Sequence, residues 1–479
     1  MNIRHFLILG WMVAGLQIFT AGQNPSEQNP PAQTSGSDDA RARTAPAAAL
    51  SAIAGMQGEV GTEDTSGDLP QISPLLGGAG MSSAFITELE RSNYLGGGIN
   101  VGATYDDNPL LLSSGVHSNT SETIFPNIRI EVSSSRMRWS FGYAGGLTVN
   151  QKITNQNQGS HNLNFDSQYR LSPHVNLRVA EIFSMTTGFF DAGNGAQGVV
   201  GSGGPNASLI VPLSTQRSSL TTVETNYHFA LNDLVGASGS FDDLHFTNVP
   251  AGTQLTDSQT ASGSAFWLHR ILRGDWGGAS YDFQRITFSP SGETRVHNFL
   301  AVNTLSLSNR FTLTGFVGPQ YLENQGLAPG GRAISQSSNW SFAGGLEGGW
   351  RNQRTSVAAG FSRTISDGGG VLGSVRLQTV HGSFRRELIP GWAVAITASY
   401  GTNRSLLVPL ATRASSINST SAGVSLERNV GKSIGLRLGY AHDFQEQFFG
   451  FTVPAQMLDA HRNRFFVTLS YQWAKPLGM

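Results

Sequence analysis

The chain contains no cysteine. Disulfides, thiolate nucleophiles and thiolate metal ligands are excluded, as is the lipidated cysteine of a bacterial lipoprotein anchor. Charge is scarce: Asp, Glu, Lys and Arg make up 13% of the residues, about half the usual share. The net charge of −1 gives no electrostatic reason to expect nucleic acid. Lysine is confined to Lys152, Lys432 and Lys475, so nearly all basic side chains are arginines. Long apolar runs are missing too. The candidate, Phe6 to Leu16, is shorter than the roughly 20 residues of a spanning helix, which argues against a helical membrane protein.

Alternation at period two is abundant. Between Arg138 and Leu171, Trp139, Phe141, Tyr143, Gly145, Leu147 and Val149 interleave with Arg138, Ser140, Gly142, Ala144, Gly146 and Thr148. After a polar loop, Leu163, Phe165, Tyr169 and Leu171 alternate with Asn162, Asn164, Asp166, Gln168 and Arg170. Such a pattern describes strands with a different solvent on each face. Each run is about ten residues long, enough for a tilted strand to cross a bilayer. The pattern recurs to the end of the chain and predicts about eighteen strands from Tyr94 onward, within the range of transmembrane barrels. Register reads weakly in Gln259 to His269 and in Asn418 to Arg428. The expected fold is all-β: a transmembrane antiparallel up-and-down β-barrel, apolar toward lipid and polar toward a lumen.

The rest of the chain divides accordingly. Residues 1–22 read as a signal peptide, with Arg4 and His5 before the apolar core and small residues Thr20 and Gly22 before Gln23. Residues 23–70, rich in Pro, Ala, Ser, Gln and Gly, read as a disordered periplasmic linker. Residues 71–93 form a junction or lumen segment, 94–473 the barrel and 474–479 a C-terminal tail. Tight turns such as Ser172 to His174, Ser308 to Arg310 and Ile389 to Gly391 alternate with long polar loops such as Thr186 to Ser218. That asymmetry belongs to outer-membrane barrels and puts the short turns, with both termini, on the periplasmic side. Trp139, Trp267, Trp276, Trp350 and Trp392 fall beside short turns and Trp473 closes the last strand on the same side; together they form the expected periplasmic aromatic girdle, since the indole ring favours an apolar–aqueous boundary.

The candidates for function are charges on the polar register: Asp166, Arg170, Arg178, Glu224, His228, Glu347, His381, Arg385, Arg437 and Asp443. Rings of such charges set selectivity in pores, and Arg favours carboxylates and phosphates. The blander reading is that each merely solvates the lumen and pairs with a neighbour. Glu224 and His228 share a face but stand about 13 Å apart along a strand, too far for direct contact. No nucleophile, base and orienter can be picked out, so no catalytic residue, metal or cofactor is expected. The glycines of Asp367 to Gly370 read as a loop, because no helix follows to make a phosphate site of them.

Phe465, Val467, Leu469, Tyr471 and Trp473 resemble the C-terminal strand recognised by the barrel-assembly machinery, although Ala474 to Met479 follow it here. The segments ELERSNYLGGGINVGATYDDNPL (Glu88 to Leu110), FVGPQY (Phe316 to Tyr321) and SRTISDGGGVLGSV (Ser362 to Val375) resemble a porin-like family of bacterial outer-membrane β-barrels. That family is loosely associated with acidobacteria and exopolysaccharide loci and implies no established substrate. The resemblance implies outer-membrane lipids and lipopolysaccharide as surroundings. Two functions follow as expectations: a channel for small polar or anionic solutes or for polysaccharide export, or a non-conducting anchor or surface-binding protein of an envelope complex. A third, an outer-membrane lipid hydrolase, ranks below both.

Overall fold

The structure, a computed structural model, describes residues 93–109, 117–134, 136–153, 157–191, 210–247, 255–272, 275–289, 292–308, 310–327, 334–370, 373–406, 416–431, 433–448 and 457–477. The expected signal peptide, linker and most of the junction lie outside the described residues.

The strands are β1 (Tyr94–Asp106), β2 (Asn119–Ser133), β3 (Met137–Asn150), β4 (Gln158–Ser172), β5 (Val175–Asp191) and β6 (Ile210–Ala230). Then come β7 (Asp233–Thr247), β8 (Ser258–Leu272), β9 (Asp275–Phe288), β10 (Glu293–Ser308), β11 (Phe311–Leu327) and β12 (Ile334–Asn352). The remainder are β13 (Thr355–Ser366), β14 (Val375–Ile389), β15 (Trp392–Ser405), β16 (Ser416–Val430), β17 (Ile434–Phe448) and β18 (Met457–Pro476). All pair antiparallel with their sequence neighbours, and β18 pairs with β1, which closes an 18-stranded up-and-down barrel. Closure removes the free edges a sheet would otherwise present. Both strands of weak sequence register are formed. The last strand runs through Pro476, opposite Tyr94, so part of the expected tail belongs to the wall.

The outward face carries the large exposed apolar side chains: Leu147, Tyr169, Val223, Phe299, Val380, Ile396, Val424, Phe465 and Leu469 are each more than a third exposed. The short turns are locked by serine hydroxyls. Ser172 Oγ accepts from His174 N at 3.2 Å and Val175 N at 3.1 Å, and Ser308 Oγ does the same for Arg310 and Phe311. A hydroxyl that stands in for a backbone acceptor fixes the turn and, through it, the register of the hairpin.

Trp139, Trp267, Trp350, Trp392 and Trp473 lie on the outward register near these turns. Trp267 Nε1 donates to Asp233 Oδ1 at 3.2 Å, and the Arg428 guanidinium sits 4.9 Å from the Trp392 ring centre. Trp276 departs from the expected girdle. It is 6% exposed and packs inward with Leu234, Phe266, Leu268, Leu300, Val302, Phe316 and Ala343. Position beside a turn placed it at the right height, but the strand's register turns its ring to the inside.

That cluster corrects a broader expectation. From β7 to β12 the inward face is apolar near the short-turn end. A second inward cluster, Ile286, Phe288, Val296 and Leu322 with Ile365, occupies the long-loop end. Leu234, Ile286 and Val296 are fully enclosed, so this side of the interior is packed. Inward rings also lie along the wall: a Cβ on Gly236 would come within 2.1 Å of Phe266, and one on Gly146 within 2.0 Å of Phe125. Glycine here makes room for a neighbour's ring that would otherwise project into the lumen.

Candidate functional site

The remaining inner wall, from β12 through β18 and round to β6, is ionic. Asp166 and Arg178 pair at 2.6 Å. The Arg385 and Arg437 guanidinium groups flank Glu427 at 3.3 and 3.5 Å. Glu347 Oε1 and His381 Nε2 are 3.5 Å apart. At the closing seam Arg462 holds Asp106 at 2.7 Å and Arg464 holds Asp443 at 2.8 Å. Nearer the short turns, Glu131 receives Arg138 at 2.6 Å and the Tyr94 hydroxyl at 2.8 Å. Strand alternation aims all these side chains to one side, and cross-strand registry brings opposite charges together.

All ten candidate charges occupy the inward register, but they divide by access to water. Asp166, Arg178, Glu347, His381, Arg385 and Arg437 keep side-chain exposures of 13–25%, and Arg170 is exposed near a short turn. Glu224, His228 and Asp443 are enclosed at 3–5%. At that exposure these three are covered, and they are not among the wetted charges. Sequence alternation could not separate the groups, since it reports which face a residue takes and not what lies over it. Alternation also missed Glu427, which joins Arg385 to Arg437 from a strand of weak pattern.

One further element shapes the interior. The β13–β14 connection folds inward. Gly368, Gly369, Gly370 and Gly373 have φ of 67°, 55°, 78° and 69°, a left-handed region that glycine adopts without strain. The turn is held against strands far away in sequence: Ser258 Oγ donates to Asp367 Oδ2 at 2.7 Å, Thr256 N donates to Gly370 O at 2.9 Å, and the Thr294 and Ser374 hydroxyls are bonded. A Cβ at Gly370 would meet the Phe246 ring at 2.3 Å. Ser366, Asp367 and Ser374 are buried. The segment is thus a loop, as expected, but one that rests on the inner wall of β7, β8 and β10 at the long-loop mouth.

Fold and interior together define a closed transmembrane β-barrel with a divided lumen, packed and apolar on one side, ionic and partly wet on the other. No family model and no curated protein matches the chain, so the acidobacterial and exopolysaccharide association stays an expectation. Among solved structures, the chain is similar to the ferric citrate transporter FecA in its unliganded form, with 7% identity, a TM-score of 0.42 and coverage of 79% of this chain and 78% of that one. It is also similar to OccAB3 of Acinetobacter baumannii, at 9% identity, TM-score 0.39 and coverage of 80% and 99%. The outer membrane protein OpdK of Pseudomonas aeruginosa matches at 9% identity, TM-score 0.38 and coverage of 80% and 99%. Nothing about solute or mechanism follows from likenesses at this level.

Proposed function

We propose that the protein is a porin-like outer-membrane channel for small polar solutes, narrowed at its long-loop mouth by the inward turn, with both termini in the periplasm. The observation that carries this reading is the partly exposed ladder of inward charges from Asp166–Arg178 round to Glu427–Arg437. Charged side chains that stay wet inside a barrel whose outer face is apolar describe an aqueous path. The packed β7–β12 wall leaves that path on the ionic side. Because these arginines face carboxylates, the ladder gives no strong anion preference, and the expected solutes are polar or zwitterionic as readily as anionic. The second reading, a non-conducting anchor, draws on the packed wall and the inward turn.

Planar-bilayer recording on the refolded barrel separates the two: discrete conductance steps are expected, and their absence at every voltage would sink the channel. In a conducting protein, Arg178→Glu with Arg437→Glu should move the reversal potential toward cation selectivity, since each reversal also strips the partner of Asp166 or Glu427. An unmoved potential would show that the limiting path runs elsewhere.

Orientation is testable in intact cells. The long connection at 192–209 should be open to an added protease, and the Ser308–Arg310 turn should be cut only after the outer membrane is broken. Cutting at that turn in unbroken cells would invert the proposed topology.

A further inference from the structure

The short turns carry arginine around one mouth of the barrel. Arg136, Arg310 and Arg354 sit in the β2–β3, β10–β11 and β12–β13 turns. Arg170 is on the inward face of β4 just before its turn, and Arg386 and Arg428 lie outward beside the β14–β15 and β16–β17 turns. All six are exposed. Backbone bonds fix where several of these charges stand: Arg170 N donates to Arg136 O at 2.7 Å, Arg351 N to Arg310 O at 2.7 Å and Glu387 N to Arg354 O at 2.8 Å.

None of the six makes an ion pair among the described residues. Carboxylates at this end are taken by other side chains: Glu131 by Arg138, Glu427 by Arg385 and Arg437, and Asp233 by His269. The long-loop end behaves differently, for there exposed Arg285 and Arg295 hold Glu293 between them at 2.7 and 2.5 Å. Unpaired like charges around one rim repel, and the barrel by itself offers nothing to offset that.

The chain enters the barrel at this same mouth. Asn93 O accepts Leu477 N at 2.7 Å and Asn93 Oδ1 accepts Ser133 N at 2.6 Å, which pins the start of β1 between β2 and β18. The sequence before it is acidic. Between Arg43 and Arg91 it holds Glu59, Glu63, Asp64, Asp68, Glu88 and Glu90 and neither Lys nor Arg. The first four of these acids fall in one short stretch, 59–68. The chain from Asp68 to Asn93 can extend over about 80 Å. A mouth made by 18 strands, spaced about 4.8 Å and tilted by about 40°, is about 35 Å across. Every short turn is therefore within reach of the acidic stretch.

We propose that residues 59–68 dock on this rim, with Arg136, Arg170, Arg310 and Arg354 as their partners. Charge complementarity selects this occupant. Covalent attachment at the rim supplies a high local concentration, at which exposed ion pairs that are weak singly hold together. Inward Arg170 is out of reach of headgroups outside the wall, which favours this stretch over anionic lipid. The docked stretch lies across the short-turn mouth. The site is independent of conduction.

The absence of cysteine lets the full chain carry spin labels at chosen positions. S66C/Q353C, labelled and refolded into phosphatidylcholine nanodiscs, is read by pulsed dipolar electron paramagnetic resonance. At low ionic strength a narrow short-distance population is expected. It should fall roughly threefold or more in about 1 M salt, where the screening length is about 3 Å, and as far at low salt in E59Q/E63Q/D64N/D68N, as loss of several exposed pairs implies. R136Q/R310Q/R354Q should act likewise, and R285Q/R295Q should leave the distances at the parent values. The acid substitutions precede the barrel in sequence and cover the case in which the arginine variant fails to fold. A low-salt distribution that matches the one in high salt, or that survives E59Q/E63Q/D64N/D68N unchanged, would overturn the proposal. So would release of the stretch in phosphatidylglycerol nanodiscs at equal ionic strength, which would give the rim to lipid headgroups.

Discussion

Ile396→Arg should impair folding into lipid vesicles far more than Ser399→Arg, although the two positions lie three residues apart on β15. Ile396 is 48% exposed on the outward face, between Phe384 and Val424 on the flanking strands. An arginine there enters hydrocarbon at a cost of about 2–4 kcal/mol near the midplane. At about 1.4 kcal/mol per tenfold, that is roughly a thirtyfold to thousandfold change in the folding equilibrium. Ser399 faces inward, level with His381 and Ser421, whose hydroxyl bonds Asp443. A cation there lies on the polar inward face beside His381 and the Ser421–Asp443 pair, and not in hydrocarbon. The comparison reads directly in urea titrations of the vesicle-bound protein, with heat-modifiable gel migration as the folded signal. Equal loss at both positions would mean that the outward face does not meet lipid.

Tyr143 and Ala144 offer a poorer pair for the same contrast, for a reason that only the structure gives. Tyr143 does point outward, with its hydroxyl 2.8 Å from His161 Nδ1. Ala144 points inward, as expected, but is 5% exposed. An arginine there would fail through overpacking, whatever the solvent. Alternation along one strand fixes the face and leaves the crowding on that face unknown.

The same limit explains what was and was not legible in the chain. Strands with one apolar and one polar face, such as β3, β4 and β18, announce both their span and their register. The β4–β5 and β10–β11 turns are closed by the Ser172 and Ser308 hydroxyls. In β8, inward Phe266 and Leu268 alternate with outward Ala265, Trp267 and His269, so both faces carry apolar side chains and the pattern goes flat. Trp276, on β9, was misplaced because a position beside a turn gives a ring its height and not its face. The glycine turn was legible as a loop, but its destination was not, since Ser258 and Asp367 are 109 residues apart and no local periodicity reports so distant a contact.

That turn gives the largest expected effect on conduction. Gly370→Leu combined with Asp367→Ala should release it from the inner wall and raise single-channel conductance on the order of twofold or more, as expected when a constriction inside a pore is withdrawn. Two separate restraints are removed. A side chain at position 370 has to occupy the space of the Phe246 ring, 2.3 Å from its Cβ, at a φ of +78° that leucine resists. Loss of the Asp367 carboxylate removes the acceptor for Ser258 Oγ and for Gly369 N. Gly431→Leu supplies the control: its φ is +65°, but it sits at a short turn with nothing within 4 Å of a new Cβ. It imposes a comparable backbone strain with no contact in the lumen, so conductance should stay at the parent value. Protease applied to the long-loop side of proteoliposomes gives a readout that does not depend on current, because a released turn exposes residues 366–370, 373 and 374, which are otherwise covered. Unchanged conductance together with new cleavage in that segment would mean that the turn leaves the wall without having narrowed the path, and the constriction would have to be sought lower, where Arg385 and Arg437 close on Glu427.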